Sequence, residues 1–86
     1  MTPPNDETWT VLGTLQWTTE YFGRKGCDSP RLDAELLLAC AMGVERIQLY
    51  VQYERPMDAD ERARYRGLVQ RRAGGEPVAY ILGERE

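Results

Sequence analysis

Residues 29–43, SPRLDAELLLACAMG, decide the fold, because they predict a helix that is apolar on more than one face. Ser29 is a favourable N-cap, and Pro30 suits the first helical position, where its missing amide hydrogen costs nothing. A glycine ends the segment. The expected core stripe follows helical spacing and consists of Leu32, Leu36, Ala39 and Cys40. Because Leu37 and Leu38 widen this stripe, we expect the segment to be the most buried helix of the chain.

A helix before this segment is predicted over residues 7–25, with Asp6 as its N-cap and Gly26 at its end. Apolar residues recur on one of its faces at helical spacing, namely Val11, Leu12, Leu15 and Phe22. Trp17 and Tyr21 project from another side. A covering helix is the preferred explanation for these two rings, and an aromatic pair that faces a partner is the alternative.

Three shorter helices are predicted after the central segment. Residues 45–52 form the first of them, with a core side made of Ile47, Tyr50 and Val51. The second begins at an acidic capping box, Asp58 and Glu61, and runs to Ala73 with the apolar stripe Tyr65, Leu68 and Val69. Residues 78–82 form the last, since a proline precedes them and a glycine follows, although their β-branched and aromatic content also allows a strand. The chain is therefore predicted to be all-α, a small bundle of four to five short helices.

The domain organisation expected from the sequence is simple. With 86 residues the chain is long enough for one domain and too short for two. Residues 1–6 are polar and proline-containing and are expected to be a flexible N-terminal segment. Residues 7–83 are expected to form one helical domain.

The net charge of −3 argues against a nucleic-acid-binding protein, which needs an excess of basic residues on one face. Five arginines nevertheless fall within eleven residues: Arg62, Arg64, Arg66, Arg71 and Arg72. Asp58 precedes Arg62 by four positions and Asp60 precedes Arg64 by four, the favourable order for ion pairs along an exposed helix. These arginines are therefore interpreted as a solvated face, and a helix-turn-helix binder stays the least favoured alternative.

Catalytic residues, a cofactor site and metal ligands are not expected in this chain. It has no histidine, and Cys27 and Cys40 lack the spacing of a redox or metal motif. Two isolated cysteines are read as reduced thiols of a cytoplasmic protein. No apolar run reaches the ~18 residues that a membrane span requires, and the N-terminus lacks the features of a signal peptide.

Two stretches resemble the HemK/PrmC family of protein-(glutamine-N5) methyltransferases, which modify class I peptide chain release factors. Residues 29–38, SPRLDAELLL, are similar to the second helix of that family. Residues 71–83, RRAGGEPVAYILG, resemble the run that closes the family's N-terminal helical domain. The likeness extends over nearly the whole chain from about residue 10 onward.

The resemblance implies a longer parent enzyme. In the family, a β-hairpin joins the helical bundle to a Rossmann-like catalytic domain, which binds S-adenosylmethionine and carries an N-P-P-Y motif. This sequence contains neither that motif nor a glycine-rich cofactor loop, so residues 84–86 are expected to begin the linker to a catalytic domain outside the chain. The implied role is to dock the release factor while the other domain methylates the glutamine of its Gly-Gly-Gln loop.

Four residues in the matching stretches are the candidate partner contacts: Arg31, Arg71, Arg72 and Tyr80. Each also has an ordinary explanation. Arg31 can pair with Glu35 one turn on, the two other arginines can cap a helix, and the tyrosine can pack in the core. The alternative to docking is a bracing role, in which the bundle supports the catalytic domain of the same protein. An apolar patch left uncovered would favour docking.

Overall fold

The computed structural model describes residues 9–83 of the chain. This part folds into five helices, α1 (Val11–Arg24), α2 (Pro30–Met42), α3 (Arg46–Val51), α4 (Ala59–Ala73) and α5 (Val78–Gly83). The residues described contain no strand, only an isolated bridge between Thr10 and Pro56. The predicted all-α bundle is therefore confirmed. The predicted flexible segment 1–6 and the predicted linker start at 84–86 lie outside the described residues.

Helix α2 lies at the centre and packs against each of the four other helices. As predicted, this helix buries more residues than any other described helix, and Leu37, Leu38 and Ala39 lie in the core, but the rest of the predicted stripe does not. Leu32 is exposed, and Leu36 and Cys40 are only partly buried. The side chains that α2 buries are Ala34, Glu35, Leu37, Leu38, Ala39 and Ala41. The predicted stripe and the observed buried set both satisfy helical spacing. The small alanines of the observed set let neighbouring helices approach closely, and apolar content alone does not show which set will face them.

Helix α1 begins later than the predicted residue 7, and its cap is Thr10 instead of Asp6, which lies outside the described residues. The Thr10 hydroxyl accepts a hydrogen bond from Gly13 N at 3.0 Å. The Val11 amide donates to the carbonyl oxygen of Arg55 at 3.0 Å. The chain before α1 thus pairs with the connection between α3 and α4, and this pairing holds Thr10 extended and sets the start of the helix.

Helix α3 presents the opposite face from the one predicted. Ile47, Tyr50 and Val51 are 69%, 44% and 84% exposed, whereas Leu49 is fully buried. A helix of six residues packs one narrow side against α2, and the side that holds Leu49 is the one buried. The predicted core side is therefore a surface.

Helices α4 and α5 follow the prediction more closely. The Asp58 carboxylate accepts from Glu61 N at 2.7 Å, and Glu61 Oε1 accepts from Asp58 N at 3.1 Å, so the capping box is confirmed. Along α4, Tyr65 and Val69 are buried. The segment 78–82 lies within α5, so the helical interpretation is confirmed over the strand. Ile81 anchors α5 in the core.

Candidate docking surface

The described residues offer little reactive chemistry. Among residues 9–83, no group of three or more His, Cys, Asp and Glu side chains is arranged to hold a metal ion. Cys27 and Cys40 are free and partly buried. No helix in this range is long and apolar enough to cross a membrane. The surfaces to consider are therefore those that could bind another molecule.

Arg31 takes part in a polar network centred on a buried carboxylate. Its Nε donates to Glu35 Oε2 at 2.9 Å, and its Nη2 donates to the Tyr53 hydroxyl at 2.9 Å. The Tyr50 hydroxyl donates to Glu35 Oε1 at 3.1 Å, and Arg46 lies 3.7 Å from the same oxygen. Although desolvation lowers the pKa of the Arg31 guanidinium, its contacts with Glu35 and Tyr53 outweigh that effect and raise it. The expected pair of Arg31 with Glu35 is thus present, within a network that joins α2 to α3.

Arg71 and Arg72 come together around one acidic residue at the end of α4. Arg71 donates to the Glu76 carboxylate at 2.9 and 2.7 Å. Arg72 donates to the carbonyl oxygen of Glu76 at 3.4 Å, and its Nε donates to the Asp33 carboxylate at 3.0 Å. Both guanidinium groups therefore bind acceptors within the domain.

Tyr80 lies on α5 with 61% of its surface exposed. The expectation that it packs in the core is wrong, because Ile81 takes the buried position of that turn. The four predicted site residues thus fall into separate places. The structure joins Arg71 and Arg72 through Glu76, gives Arg31 a network of its own, and leaves Tyr80 on the surface.

The α3 patch, defined as Ile47, Tyr50 and Val51, was not among the predicted site residues. It is an apolar surface in a domain whose other described Leu, Ile and Val side chains are buried or partly buried, apart from Leu32. A signal for it was present in the sequence. Leu49 falls on the opposite side of the helix from Ile47 and Val51, so a helix that packs on one side cannot bury both sets.

A second surface feature is a groove between α1 and α4, which both pack against α2. Trp17 and Tyr21 stack in it with ring centroids 5.2 Å apart and planes inclined by 11°. Trp9 meets Trp17 edge-on at 6.1 Å. The expectation that a second helix covers Trp17 and Tyr21 is wrong, since both are only partly buried and line an open groove of about 380 Å³.

Comparison with known families identifies the domain. The sequence profile of the family described as the PrmC N-terminal domain matches residues 14–83, from within α1 to the end of α5. The chain belongs to this family. The resemblance carried by residues 29–38 and 71–83 is therefore confirmed, and both stretches lie inside the matched range of this PrmC N-terminal domain.

Curated relatives named release factor glutamine methyltransferase are similar to this PrmC N-terminal domain. The protein of Rhodopirellula baltica is 50% identical over 82 residues, which are 95% of this chain and 28% of that protein. The protein of Geobacter sulfurreducens is 46% identical over 80 residues, 93% of this chain and 28% of its own length. The protein of Chlorobaculum tepidum is 42% identical over 81 residues, which are 94% of this chain and 28% of that protein. The chain thus spans little more than a quarter of these relatives, and no solved structure matches it.

Proposed function

We propose that this PrmC N-terminal domain docks a class I peptide chain release factor for a release factor glutamine methyltransferase. A catalytic domain of the same protein would then transfer a methyl group from S-adenosylmethionine to the glutamine of the factor's Gly-Gly-Gln loop. The names of the relatives support the reaction and its substrate. The cytoplasm, where translation ends, is the proposed location.

The observation that carries the docking role is the exposed α3 patch. Ile47 and Val51 lie four residues apart, so they form one apolar ridge on the helix surface. Burial of an aliphatic side chain of this size contributes about 1.5–3 kcal/mol when it is complete. Two such residues and the half-exposed Tyr50 ring can therefore supply a substantial part of a protein contact. A domain that only supports its own fold gains nothing by leaving them in water.

The patch is held in place before any partner arrives. A six-residue helix is unstable alone, because helix nucleation costs more than so few hydrogen bonds return. Here Leu49 anchors α3 in the core. The Glu35 carboxylate of α2 also accepts a hydrogen bond from the Tyr50 hydroxyl and forms an ion pair with the Arg46 guanidinium. A preformed surface loses less conformational entropy on binding than a mobile one.

The described residues do not fit S-adenosylmethionine. The groove between α1 and α4 has no glycine-rich turn and no carboxylate for ribose hydroxyls among its described lining residues. We therefore assign the methyl donor to the catalytic domain of the parent enzyme. This PrmC N-terminal domain would act by positioning the release factor. Positioning can supply a large share of a rate enhancement when it aligns the reacting groups.

The four predicted partner contacts have different roles in this proposal. Arg31, Arg71 and Arg72 already bind acidic or polar groups of the domain, so their contribution would be to hold its shape. Tyr80, exposed on the last helix, favours a second candidate function, in which α5 braces the catalytic domain. Direct partner binding by these four residues stays a prediction.

An NMR titration tests the docking role. The isotope-labelled chain is titrated with an unmethylated class I release factor, and we expect shift changes concentrated at residues 46–51. The double variant Ile47→Ser/Val51→Ser should weaken binding by about tenfold or more, the equivalent of about 1.4 kcal/mol. Leu32→Ser, at a 40% exposed apolar site on α2, is the control and should leave binding unchanged, whereas Tyr80→Ser tests the predicted contact on α5.

The opposite pattern would overturn the proposal. If the release factor leaves all amide resonances unchanged at high concentration, the α3 patch does not dock it. A loss of binding with Tyr80→Ser and none with the double variant would move the contact to α5. The bracing role would then be tested in the full-length enzyme, by its unfolding temperature.

A further inference from the structure

The groove between α1 and α4 is a second candidate binding site, distinct from the α3 patch. We call it the aromatic groove, and the lining residues that matter here are Trp9, Trp17, Tyr21, Met57, Tyr65 and Arg66. It has a volume of about 380 Å³, at the lower end of the range of ligand-binding pockets. Such a volume holds one or two side chains, not a whole helix.

Two buried hydrogen-bond donors in this groove have no partner among the described residues. They are the Trp17 indole N–H and the Tyr65 hydroxyl. Tyr65 is 95% buried, with 5% of its surface exposed. The Thr18 hydroxyl lies near it and donates its own proton to the Thr14 carbonyl oxygen at 2.8 Å, and the phenol has no hydrogen-bond partner among the described residues. Buried donors usually have a partner, so an acceptor that enters between these lining residues would satisfy two donors at once.

The protonation state of Tyr65 favours donation. Burial raises the pKa of its phenol far above the ordinary value, and the nearby Thr18 hydroxyl offsets this only in part. The phenol therefore keeps its proton at any pH near neutrality. An indole N–H can only donate. Both groups thus call for an oxygen acceptor.

The charged lining of the groove points to a negative acceptor. Arg66 stands exposed on the α4 side, and no carboxylate is among the described lining residues. On the α1 side, Lys25 Nζ lies 5.5 Å from the centre of the Tyr21 ring that walls the groove. This local excess of positive charge contrasts with the net charge of −3 of the whole chain. A carboxylate fits such donors and cations well.

We propose that the aromatic groove binds a short peptide segment of a partner protein, in which an apolar side chain stands next to Asp or Glu. The apolar side chain would lie against Trp17, Tyr21 and Met57, and the carboxylate would meet the exposed Arg66. It would accept from the Tyr65 hydroxyl once the side chains over that buried oxygen move aside. Tryptophan, tyrosine and arginine are the residue types that contribute most to protein contacts. The inference concerns a site separate from the α3 patch and stands whichever protein binds there.

Intrinsic fluorescence offers a direct test, because both tryptophans of the chain line this groove. The probe is the acetylated, amidated dipeptide Leu-Glu, added to the full chain, with the Leu-Gln dipeptide as the uncharged control. We expect the Leu-Glu probe to shift the tryptophan emission with a Kd on the order of 1 mM, a reasonable affinity for so small a ligand. The Leu-Gln probe should bind about tenfold more weakly.

Two variants locate the carboxylate. Tyr65→Phe removes the unpartnered hydroxyl while it keeps the ring, and should weaken the Leu-Glu probe about threefold or more without loss of stability. Arg66→Gln should weaken it similarly. Ala79→Glu changes the net charge by the same amount at an exposed, non-lining position on α5, and should have a smaller effect.

Three results would overturn the proposal. The first is unchanged emission at probe concentrations of about 20 mM, well above the expected Kd. The second is equal affinity for the two dipeptides, or equal effects of Arg66→Gln and Ala79→Glu. The third is binding by a chain that starts at Trp9 but none by the full chain, which would make residues 1–8 the occupant of the groove.

Discussion

The Nε of Arg72 donates to the Asp33 carboxylate at 3.0 Å, joining the last turn of α4 to the first turn of α2. The two side chains are only 21% and 13% exposed. Each charge also stands at the helix end that favours it, since acids stabilise the N-terminus of a helix and bases its C-terminus. The ion pair therefore fixes where α4 ends relative to the central helix.

We predict that Arg72→Ala lowers the free energy of unfolding by about 1–3 kcal/mol, because the Asp33 carboxylate would lose its main partner in a mostly buried position. Urea denaturation followed by circular dichroism measures the change. Arg66→Ala removes the same side chain from an exposed site on the same helix and should cost no more than about 0.5 kcal/mol. Equal losses in the two variants would show that the Arg72 pair contributes nothing beyond an exposed arginine.

We predict that Tyr65→Phe leaves the domain as stable as the wild type at pH 7, or up to about 1 kcal/mol more stable, because the buried hydroxyl has no partner to lose. Burial raises the pKa of this phenol in the folded state. The unfolded chain releases the proton near pH 10, as free tyrosine does, while the folded state still holds it. Stability contributed by Tyr65 is thus fully present below about pH 10 and is lost as the pH rises further.

The measurement that checks this sign is the free energy of unfolding of wild type and Tyr65→Phe between pH 7 and alkaline conditions. The two proteins differ only at residue 65, so the difference between the two curves isolates Tyr65. We expect the variant to lose less stability than the wild type above about pH 10. Parallel curves would contradict the buried, unpartnered phenol.

Two glycines should respond in opposite directions to the same substitution. Gly67 lies in the interior of α4, and Gly43 ends α2 with a φ of +70°. A Cβ at either position would meet nothing within 4 Å, so only the backbone decides the result. Gly67→Ala should stabilise the domain by about 0.5–1 kcal/mol, and Gly43→Ala should destabilise it by about 1 kcal/mol. Thermal melts would show these as shifts of opposite sign, and shifts of the same sign would contradict the helix assignments.

The structural features that the sequence predicted correctly depend on residues close together in the chain. Asp58 and Glu61 cap α4 through groups three residues apart, so their pattern is complete in the sequence itself. The pair of Arg72 with Asp33 spans 39 residues and depends on how α4 lies against α2, which no local pattern encodes. The start of α1 likewise follows from the pairing of Val11 with Arg55, a contact between distant segments.

The sequence pointed to the core for both candidate surfaces for a related reason, although it kept a partner-facing aromatic pair as the alternative for Trp17 and Tyr21. The sequence shows that Ile47 and Val51 share one face of a helix, but not whether that face meets α2 or water. The composition of the face favoured the core, and the packing of Leu49 decided otherwise. Trp17 and Tyr21 posed the same choice between a covering helix and an open groove. In each case the missing information was which helices pack closely, and that is a property of the whole bundle.

A matched pair of truncations in α3 tests which face is buried. Leu49 is fully buried, so Leu49→Ala should lower the free energy of unfolding by about 2–4 kcal/mol through lost contacts and the cavity left behind. Val51 is 84% exposed, so Val51→Ala should change it by no more than about 0.5 kcal/mol, and alanine's better helix propensity could make the change favourable. Denaturant midpoints measure both. A costly Val51→Ala with a harmless Leu49→Ala would restore the face predicted from the sequence, and would remove the exposed apolar ridge on which the docking proposal depends.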